Sequence, residues 1–272
     1  MGDLPGAYGW RFSGVVGDLL GAGPPHWPIL GLSQEIGEVE RGKDDLGQDR
    51  AELRLVDGWA SLRRDPATAT FTFRRRMSEE EIAHPYLTRV VAAHNYWLGR
   101  ESFHAGAFVA NGKAWAVAAD REGGKSSTLA GLARAGYPII VDDLVVSVAG
   151  QALAGPRSID LREGASTHLQ LGESMGIHGG RQRFRYRLDD VPAETELGGW
   201  IFLAWGHSVE AVPLSPFDRL QRLMDHRMVR GPAQLEPASF LRLAALPGFQ
   251  VQRPHSFDRF EESLEAITAI VS

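Results

Sequence analysis

Apolar and polar positions in the middle of the chain follow the pattern of a strand hairpin, a helix and a further strand. Residues 108–110 and 115–118 are apolar runs, and Asn111-Gly112 between them is the strongest two-residue hairpin signal. Over residues 127–136 apolar side chains recur at helical spacing, and the segment ends on a glycine. The run Ile139–Val141 is β-branched and too short for a helix, so it predicts a buried strand.

The N-terminal part predicts small antiparallel strands followed by one helix. Residues 53–62 carry an Asp-Gly turn between two apolar segments, and residues 69–73 alternate as a half-buried strand does. Ser78, with a glutamate three residues later, matches a capping box. The helix that it opens is interrupted at Pro85, and its apolar stripe, which we assign to the core, ends at Gly99.

The C-terminal part returns to strands and helices, which we expect to be structural. These elements are a buried strand at 199–205, helices at 216–224 and 237–246, a short strand at 249–251 and a final amphipathic helix at 257–271.

Together these patterns predict an α/β fold in two parts. A chain of 272 residues can bury a sizeable core, as one large domain or two small ones. We predict a small N-terminal α+β lobe over residues 1–99 and an α/β core with C-terminal helices over residues 100–272. No low-complexity linker separates them, so we expect one compact unit.

Composition and charge remove several classes of function. The net charge is −5 and the pI is about 6.0, which argues against a nucleic-acid-binding protein. The chain has no cysteine, and its 9 histidines show no metal-ligand spacing. No apolar run approaches the ~20 residues of a membrane span, and residues 1–5 lack the features of a secretion signal. We therefore expect a cytoplasmic protein with no membrane or nucleic-acid partner.

A glycine-rich segment with candidate chemistry lies between the predicted hairpin and the helix. Its residues are, in order, Ala119, Asp120, Arg121, Glu122, Gly123, Gly124, Lys125 and Ser126, followed by Ser127. The nucleotide-binding P-loop (Walker A) reads Gly, four free residues, then Gly-Lys-Ser/Thr, and here only the first glycine is missing. A strand before and a helix after are the context that this motif requires, because N–H groups at a helix start attract an anion. Residues 120–127 are therefore candidates for binding ATP or another nucleoside triphosphate, and an ordinary turn is the alternative.

Two residues make this segment irregular. The first glycine of the motif often adopts a conformation that is costly for other residues, so we expect Ala119 to cost about 1 kcal/mol. Glu122 places a negative charge where phosphates are expected to bind. It could pair with Arg121, point to solvent or weaken nucleotide affinity, so a degenerate, non-catalytic loop stays an alternative.

Two carboxylates, Asp142 and Asp143, directly follow the predicted strand Ile139–Val141. In open α/β sheets ligands bind outside the C-terminal ends of the strands, so we expect this pair near Lys125 and Ser126. One carboxylate can hold Mg²⁺, directly or through water, and the other can take a proton from an attacking hydroxyl. For the pair taken alone, a solvated strand end is the alternative.

The segment 103–146 resembles the catalytic core of the HPr kinase/phosphorylase family. The residues that match the family in order and in approximate spacing are His104, Lys125, Ser126, Asp142 and Asp143. Residues 154–162 resemble a Pro-Arg segment of small stand-alone members. The chain departs from the family in its loop, and we see no C-terminal signature for docking the HPr carrier protein. It therefore looks more like the small kinases of peptide and natural-product biosynthesis, some of which resemble enzymes that phosphorylate a serine of a lasso-peptide precursor.

This resemblance implies a P-loop core of the HPr kinase/PEP carboxykinase type, with ATP or another nucleoside triphosphate and Mg²⁺. Lys125 and the loop amides would hold the β- and γ-phosphates. Ser126 and Asp143 would serve the metal and Asp142 would deprotonate the acceptor, although the two aspartates could exchange these roles. His104 would approach the transferring phosphate or the acceptor. Members of the family often assemble into oligomers, which leaves a homo-oligomer open for this chain.

Three functions are consistent with the sequence. The first is a kinase for a serine hydroxyl of a peptide or small protein, and the second is a kinase for a small-molecule hydroxyl in a biosynthetic pathway. The third is a nucleotide-binding module without transfer activity. The shared core does not fix the acceptor.

Residues 181–187 carry an arginine at every second position. Such a row shares one face of a strand and could grip phosphates or an acidic substrate. The alternative is the solvated face of an edge strand. Candidate phosphate or substrate contacts are Arg157, Arg185 and Arg187.

Overall fold

The computed structural model describes residues 4–14, 17–39, 42–178, 180–229 and 237–272. The prediction that residues 1–5 lack a secretion signal falls partly on residues 1–3, which lie outside the described residues. The described elements form three sheets with helices packed against them, and the fold is α/β, as the sequence predicts.

Strands from the N-terminal part form one sheet of eight. They are β1 (Pro5–Ala7), β2 (Trp10–Gly14), β3 (Gly21–Ala22), β4 (Ile29–Ile36), β5 (Asp45–Leu46), β6 (Arg50–Arg54), β7 (Gly58–Arg63) and β8 (Thr68–Phe73). Their order across the sheet is β3-β1-β2-β4-β8-β7-β6-β5. The predicted hairpin is confirmed as β6 and β7. The prediction of antiparallel strands is confirmed for five of the seven neighbouring pairs. It is wrong for β4, which runs parallel to both β2 and β8; the chain passes through β5, β6 and β7 before it returns as β8.

One interrupted helix follows this sheet. It consists of α1 (Glu79–Glu81), a π-helical turn at Ile82–Tyr86 and α2 (Leu87–Trp97). The predicted capping box is confirmed, because the Ser78 hydroxyl accepts from the Glu81 amide while the Glu81 carboxylate accepts from the Ser78 amide. His84 is extended, with φ −150° and ψ 121°, as a residue before proline prefers.

The central sheet has nine strands. They are β9 (Glu101–Phe103), β10 (Ala105–Ala110), β11 (Lys113–Ala119), β12 (Ile139–Val141), β13 (Val145–Val148), β14 (Gln151–Leu153), β18 (Glu194–Trp205), β19 (Glu210–Pro213) and β20 (Gly248–Arg253). The predicted hairpin of β10 and β11 is confirmed, with Asn111 and Gly112 at positive φ in its turn.

Strands β11, β12, β18 and β20 of the central sheet point the same way. β11 runs parallel to β18, and β18 runs parallel to β20. β12 has the same direction as β11, because both are antiparallel to β10. Their C-terminal ends therefore meet at one edge of the sheet, which is where ligands bind in open α/β sheets.

A third sheet and five further helices complete the described fold. The strands are β15 (Ser158–Leu161), β16 (Glu173–His178) and β17 (Arg181–Arg187), in the order β15-β17-β16. The helices are α3 (Lys125–Arg134), α4 (Glu163–Leu169), α5 (Pro216–His226), α6 (Pro237–Ala245) and α7 (Phe260–Ile270), with a 3-10 turn at Phe257–Arg259.

Two apolar cores hold these layers together. One buries Leu129 and Leu132 of α3 against Phe260 and Ile267 of α7. The other continues from the N-terminal sheet into the central sheet, so it contains buried side chains from both sides of the predicted boundary at residues 99 and 100. The division into two parts at this boundary stays a prediction. No helix within the described ranges is long and apolar enough to cross a membrane.

Candidate active site

A cavity of about 860 Å³ opens at the edge where the four codirectional strands end. All residues of the segment 120–127 line it. His104, Asp142 and Asp143 line it as well. The structure therefore brings the loop, both carboxylates and the histidine to one place.

The loop between β11 and α3 carries its backbone strain at Glu122. Glu122 and Gly124 have φ of 67° and 76°, a region that favours glycine. Ala119 does not lie in this region, so the expectation of strain there is wrong. Ala119 is still the last residue of β11 and pairs with Leu203 of β18, which keeps its backbone extended. A Cβ at Gly123 would lie 2.8 Å from the Cβ of Ala119 and 2.8 Å from the carbonyl oxygen of Asp120, so this position favours glycine.

Lys125 forms the centre of the polar cluster. Its Nζ donates to Oδ1 of Asp142 at 2.7 Å, to Oδ1 of Asp143 at 2.9 Å and to the Asp142 carbonyl oxygen at 2.7 Å. The Ser126 hydroxyl donates to Oδ1 of Asp142 at 3.0 Å. The first two residues of α3 thus contact the two residues that follow β12.

Burial and neighbouring charges shift the pKa values of the two carboxylates in opposite directions. Burial raises the pKa of Asp142, whose side chain is 2% exposed, and Lys125 offsets only part of the rise. Burial acts on Asp143 in the same direction, but Lys125 and His84 hold the pKa of Asp143 below its ordinary value. For Lys125, burial disfavours the ammonium, and the two carboxylates outweigh this and raise its pKa. Asp142 is therefore the better proton acceptor of the pair, and Asp143 is the more firmly charged one.

His84 is a residue of this site that the sequence did not single out. Its Nε2 lies 3.6 Å from Oδ2 of Asp143 and 3.6 Å from Oδ2 of Asp160, and its side chain is buried. His84, Asp142 and Asp143 each offer a ligand atom, and these atoms lie within 4.8 Å of one another, which suits a metal ion. In the sequence, the signal that could have pointed to His84 was the predicted interruption of the helix at Pro85.

Arg185 fixes the far side of this cluster. Its guanidinium, which is buried, donates to both carboxylate oxygens of Asp160, at 2.8 and 2.9 Å. It also donates to the carbonyl oxygen of His84 at 2.8 Å. Arg185 thus orients two neighbours of the site and is not itself among the described residues that line the cavity.

The other two candidate arginines form ion pairs elsewhere. Arg157 pairs with Asp190 at 2.5 Å, and Arg187 pairs with Glu80. Neither is among the described residues that line the cavity. The arginines that do line it are Arg121, Arg162, Arg181, Arg183 and Arg253.

His104 lies beside the second carboxylate. Its Nδ1 is 3.3 Å from the carbonyl oxygen of Asp143, and its amide donates to the carbonyl of His226 at 2.7 Å. Burial lowers the pKa of His104, and the neighbouring charge of Lys125 lowers it further. A neutral imidazole is therefore favoured at neutral pH.

The loop carboxylate Glu122 is paired with the third sheet. Arg181 of β17 donates to its Oε1 at 2.8 Å, and Arg162 donates to the same oxygen at 3.1 Å. These two hydrogen bonds lower the pKa of Glu122 to about 2. The negative charge in the loop is thus compensated by two arginines.

Comparisons with known proteins give only a distant structural likeness. No protein-family model matches the sequence, and no curated protein matches it. A solved structure, the Hpr(Ser) kinase/phosphatase from Coxiella burnetii, is similar to this chain with a TM-score of 0.28 and 16% sequence identity. The match covers 62% of this chain and 97% of that one.

Proposed function

We propose that this chain is an ATP-dependent kinase with a P-loop core, which transfers the γ-phosphate to the hydroxyl of a serine in a peptide or small protein. One observation carries the proposal. At the edge where the codirectional strands end, a strand, a glycine-rich turn and a helix present Lys125 and Ser126 directly to Asp142 and Asp143. Phosphoryl transfer needs a cation for the phosphates, ligands for a metal and a proton acceptor, and this cluster contains all three.

The loop and Lys125 bind the triphosphate in this proposal. Amide groups in the first turn of α3 point toward an anion, and the helix dipole adds to the attraction. The Lys125 ammonium keeps its charge in the buried site because the carboxylates raise its pKa. It is therefore a permanent cation for the β- and γ-phosphate oxygens.

The polar groups around Lys125 also fit a magnesium ion. Mg²⁺ prefers oxygen ligands and keeps several waters. Ser126 offers a hydroxyl and Asp143 a charged carboxylate that is 29% exposed to the cavity, with Asp142 and His84 close by. When bound, the ion neutralises charge on the β- and γ-phosphate oxygens.

Asp142 is the proton acceptor in this proposal. The acceptor oxygen forms a bond to the γ-phosphorus while the bond from that phosphorus to the β–γ bridging oxygen breaks, and ADP leaves. The hydroxyl proton goes to Asp142, whose raised pKa makes it a better base than Asp143. His104, neutral and next to Asp143, is placed to donate to or accept from the transferring group.

Transfer of labelled γ-phosphate tests this function and its acceptor class. Purified protein is incubated with Mg·ATP and a panel of serine peptides, their alanine counterparts, sugars and free amino alcohols. Wild type is compared with Asp142→Asn and with the control Asp190→Asn, whose exposed carboxylate lies outside the described cavity lining. We expect label on serine peptides only, a loss of about 10²- to 10⁴-fold in Asp142→Asn and no change in the control.

Two other results would assign a different function. Label on small hydroxyl compounds alone would make the protein a small-molecule kinase. Tight Mg·ATP binding without transfer to any acceptor, in the wild type, would make it a nucleotide-binding module.

A further inference from the structure

Aromatic side chains form the wall of the cavity on the side away from Asp142. Trp205, the last residue of β18, is 41% exposed although it is a large apolar residue. Its ring centroid lies 4.5 Å from that of His255, which follows β20. Both rings line the cavity. A partly exposed indole in this cavity offers a flat apolar surface to a planar ligand.

Arg253 connects this aromatic wall to the loop. Its guanidinium lies 4.4 Å from the centroid of the Trp205 ring, and the residue is 4% exposed. The same guanidinium donates to the carbonyl oxygen of Gly123 at 2.7 Å. A Cβ at Gly124 would lie 3.2 Å from the indole Cη2, so the loop and the indole are direct neighbours.

The order of the strands gives the cavity a direction. Across the sheet the order is β12, β10, β11 and β18, with β20 paired to the C-terminal half of β18. The carboxylates follow β12 and the loop follows β11, whereas Trp205 and Arg253 end β18 and β20. A triphosphate lying in the loop with its γ-phosphate toward Asp142 therefore has its nucleoside end toward Trp205.

We propose that Trp205, flanked by His255 and held by Arg253, is the subsite on which the base of the nucleotide stacks. The inference rests on the proposed function, because it takes the loop as the site of the phosphates. Arg253 lies over part of the indole, and Trp205 remains 41% exposed and lines the cavity. Base-on-aromatic stacking is tolerant of base identity because every base has a π face.

Calorimetric titration with two ligands distinguishes binding of the base from binding of the phosphates. Mg·ATP carries a base, whereas the magnesium complex of inorganic tripolyphosphate does not. Both are titrated into wild type, Trp205→Leu, Trp205→Phe and the control Trp59→Leu. Trp59 is a half-buried indole of β7 and is not among the described residues that line the cavity.

We expect Trp205→Leu to weaken Mg·ATP binding by about 5- to 150-fold, the range of base–aromatic stacking. Tripolyphosphate binding should change by less than about twofold, which also shows that the variant is folded. Trp205→Phe should recover most of the affinity for ATP, and Trp59→Leu should behave as wild type.

Three results would overturn the subsite but not the proposed function. Trp205→Leu could bind ATP as wild type does, or it could lose ATP and tripolyphosphate equally. Wild type could also bind tripolyphosphate as tightly as ATP, which would leave the phosphate loop intact without a base subsite. Wild type that binds neither ligand would overturn the subsite and the proposed function together.

Discussion

The Glu122 carboxylate accepts a hydrogen bond of 2.8 Å from the guanidinium of Arg181. This contact joins the loop before α3 to β17, and Arg162 adds a second bond to the same oxygen. The negative charge that made the loop look unsuited to phosphates is therefore held by two cations on the rim of the cavity. In the proposed kinase, Glu122 would compete with the bound phosphates for the same arginines.

Removing this counter-ion should strengthen nucleotide binding. In Glu122→Gln the two arginines keep their charge and lose their carboxylate, so we expect the Kd for Mg·ATP to fall by about two- to fivefold at low ionic strength. Salt should reduce the gain, because these groups are exposed. The control is Glu196→Gln, since Glu196 forms an exposed pair of 2.8 Å with Lys113 outside the described cavity lining. An unchanged or weaker affinity in Glu122→Gln would contradict this role.

Changing each aspartate to asparagine should affect a different property, namely kcat for Asp142 and the Mg²⁺ dependence of ATP binding for Asp143. Asp142→Asn removes the better base, so we expect kcat to fall by about 10²- to 10⁴-fold with the affinity for Mg·ATP nearly unchanged. Asp143→Asn removes the more firmly charged metal ligand, so we expect the Mg²⁺ concentration for half-maximal ATP binding to rise by about tenfold or more. Titrations of Mg²⁺ at fixed ATP, together with kcat, distinguish the two. The opposite pattern would exchange the assigned roles.

Arg185 should matter for stability far more than its neighbour Arg187. Replacement of Arg185 by methionine leaves the Asp160 carboxylate without its guanidinium in a largely buried place, so we expect a loss of about 3–5 kcal/mol in the free energy of unfolding. Arg187→Met breaks a more exposed pair with Glu80 and should cost about 0–1 kcal/mol. Urea denaturation of both variants measures the difference. Equal losses would show that burial of the Arg185 pair has no energetic consequence.

His94 should make the fold sensitive to moderate acid. It is 1% exposed between the rings of Trp10 and Trp97, and burial lowers its pKa to about 4. The unfolded chain, with the ordinary pKa of 6.5, binds the proton first as the pH falls, so stability is lost between pH 6.5 and about pH 4. The expected loss is about 3 kcal/mol. Urea denaturation across this range should show a smaller loss in His94→Gln, and equal losses would contradict the assignment.

Local signals in the sequence were sufficient for many of the elements around the site. The Asn111-Gly112 hairpin, the capping box at Ser78 and the strand Ile139–Val141 each depend on a few neighbouring residues, and all are present. From the general rule that ligands bind at strand ends, the sequence predicted that Asp142 lies next to Lys125. Such features are predictable because their geometry is determined within one turn or one strand.

The features of the site that the sequence did not predict depend on contacts between segments that are far apart in the chain. His84 lies next to Asp143 and Asp160 although it is far from both in the sequence, and no local pattern encodes these contacts. The arginine row of β17 was recognised, but its partners follow from strand register, which sets Arg185 opposite Asp160 of β15. The position of strain in the loop also depends on tertiary structure, because Ala119 remains paired in the central sheet.

Replacement of Lys125 tests the proposed kinase site most directly. The measurement is the rate of γ-phosphate transfer by Lys125→Ala with the best acceptor of the panel, beside Lys113→Ala, whose exposed ammonium pairs with Glu196. Circular dichroism confirms that both variants are folded. We predict a transfer rate at least about 10³-fold below wild type in Lys125→Ala, because the only loop cation that contacts both aspartates in the described part of the chain is gone, and a normal rate in Lys113→Ala. A wild-type rate in folded Lys125→Ala would contradict the assignment of this loop as the phosphate site.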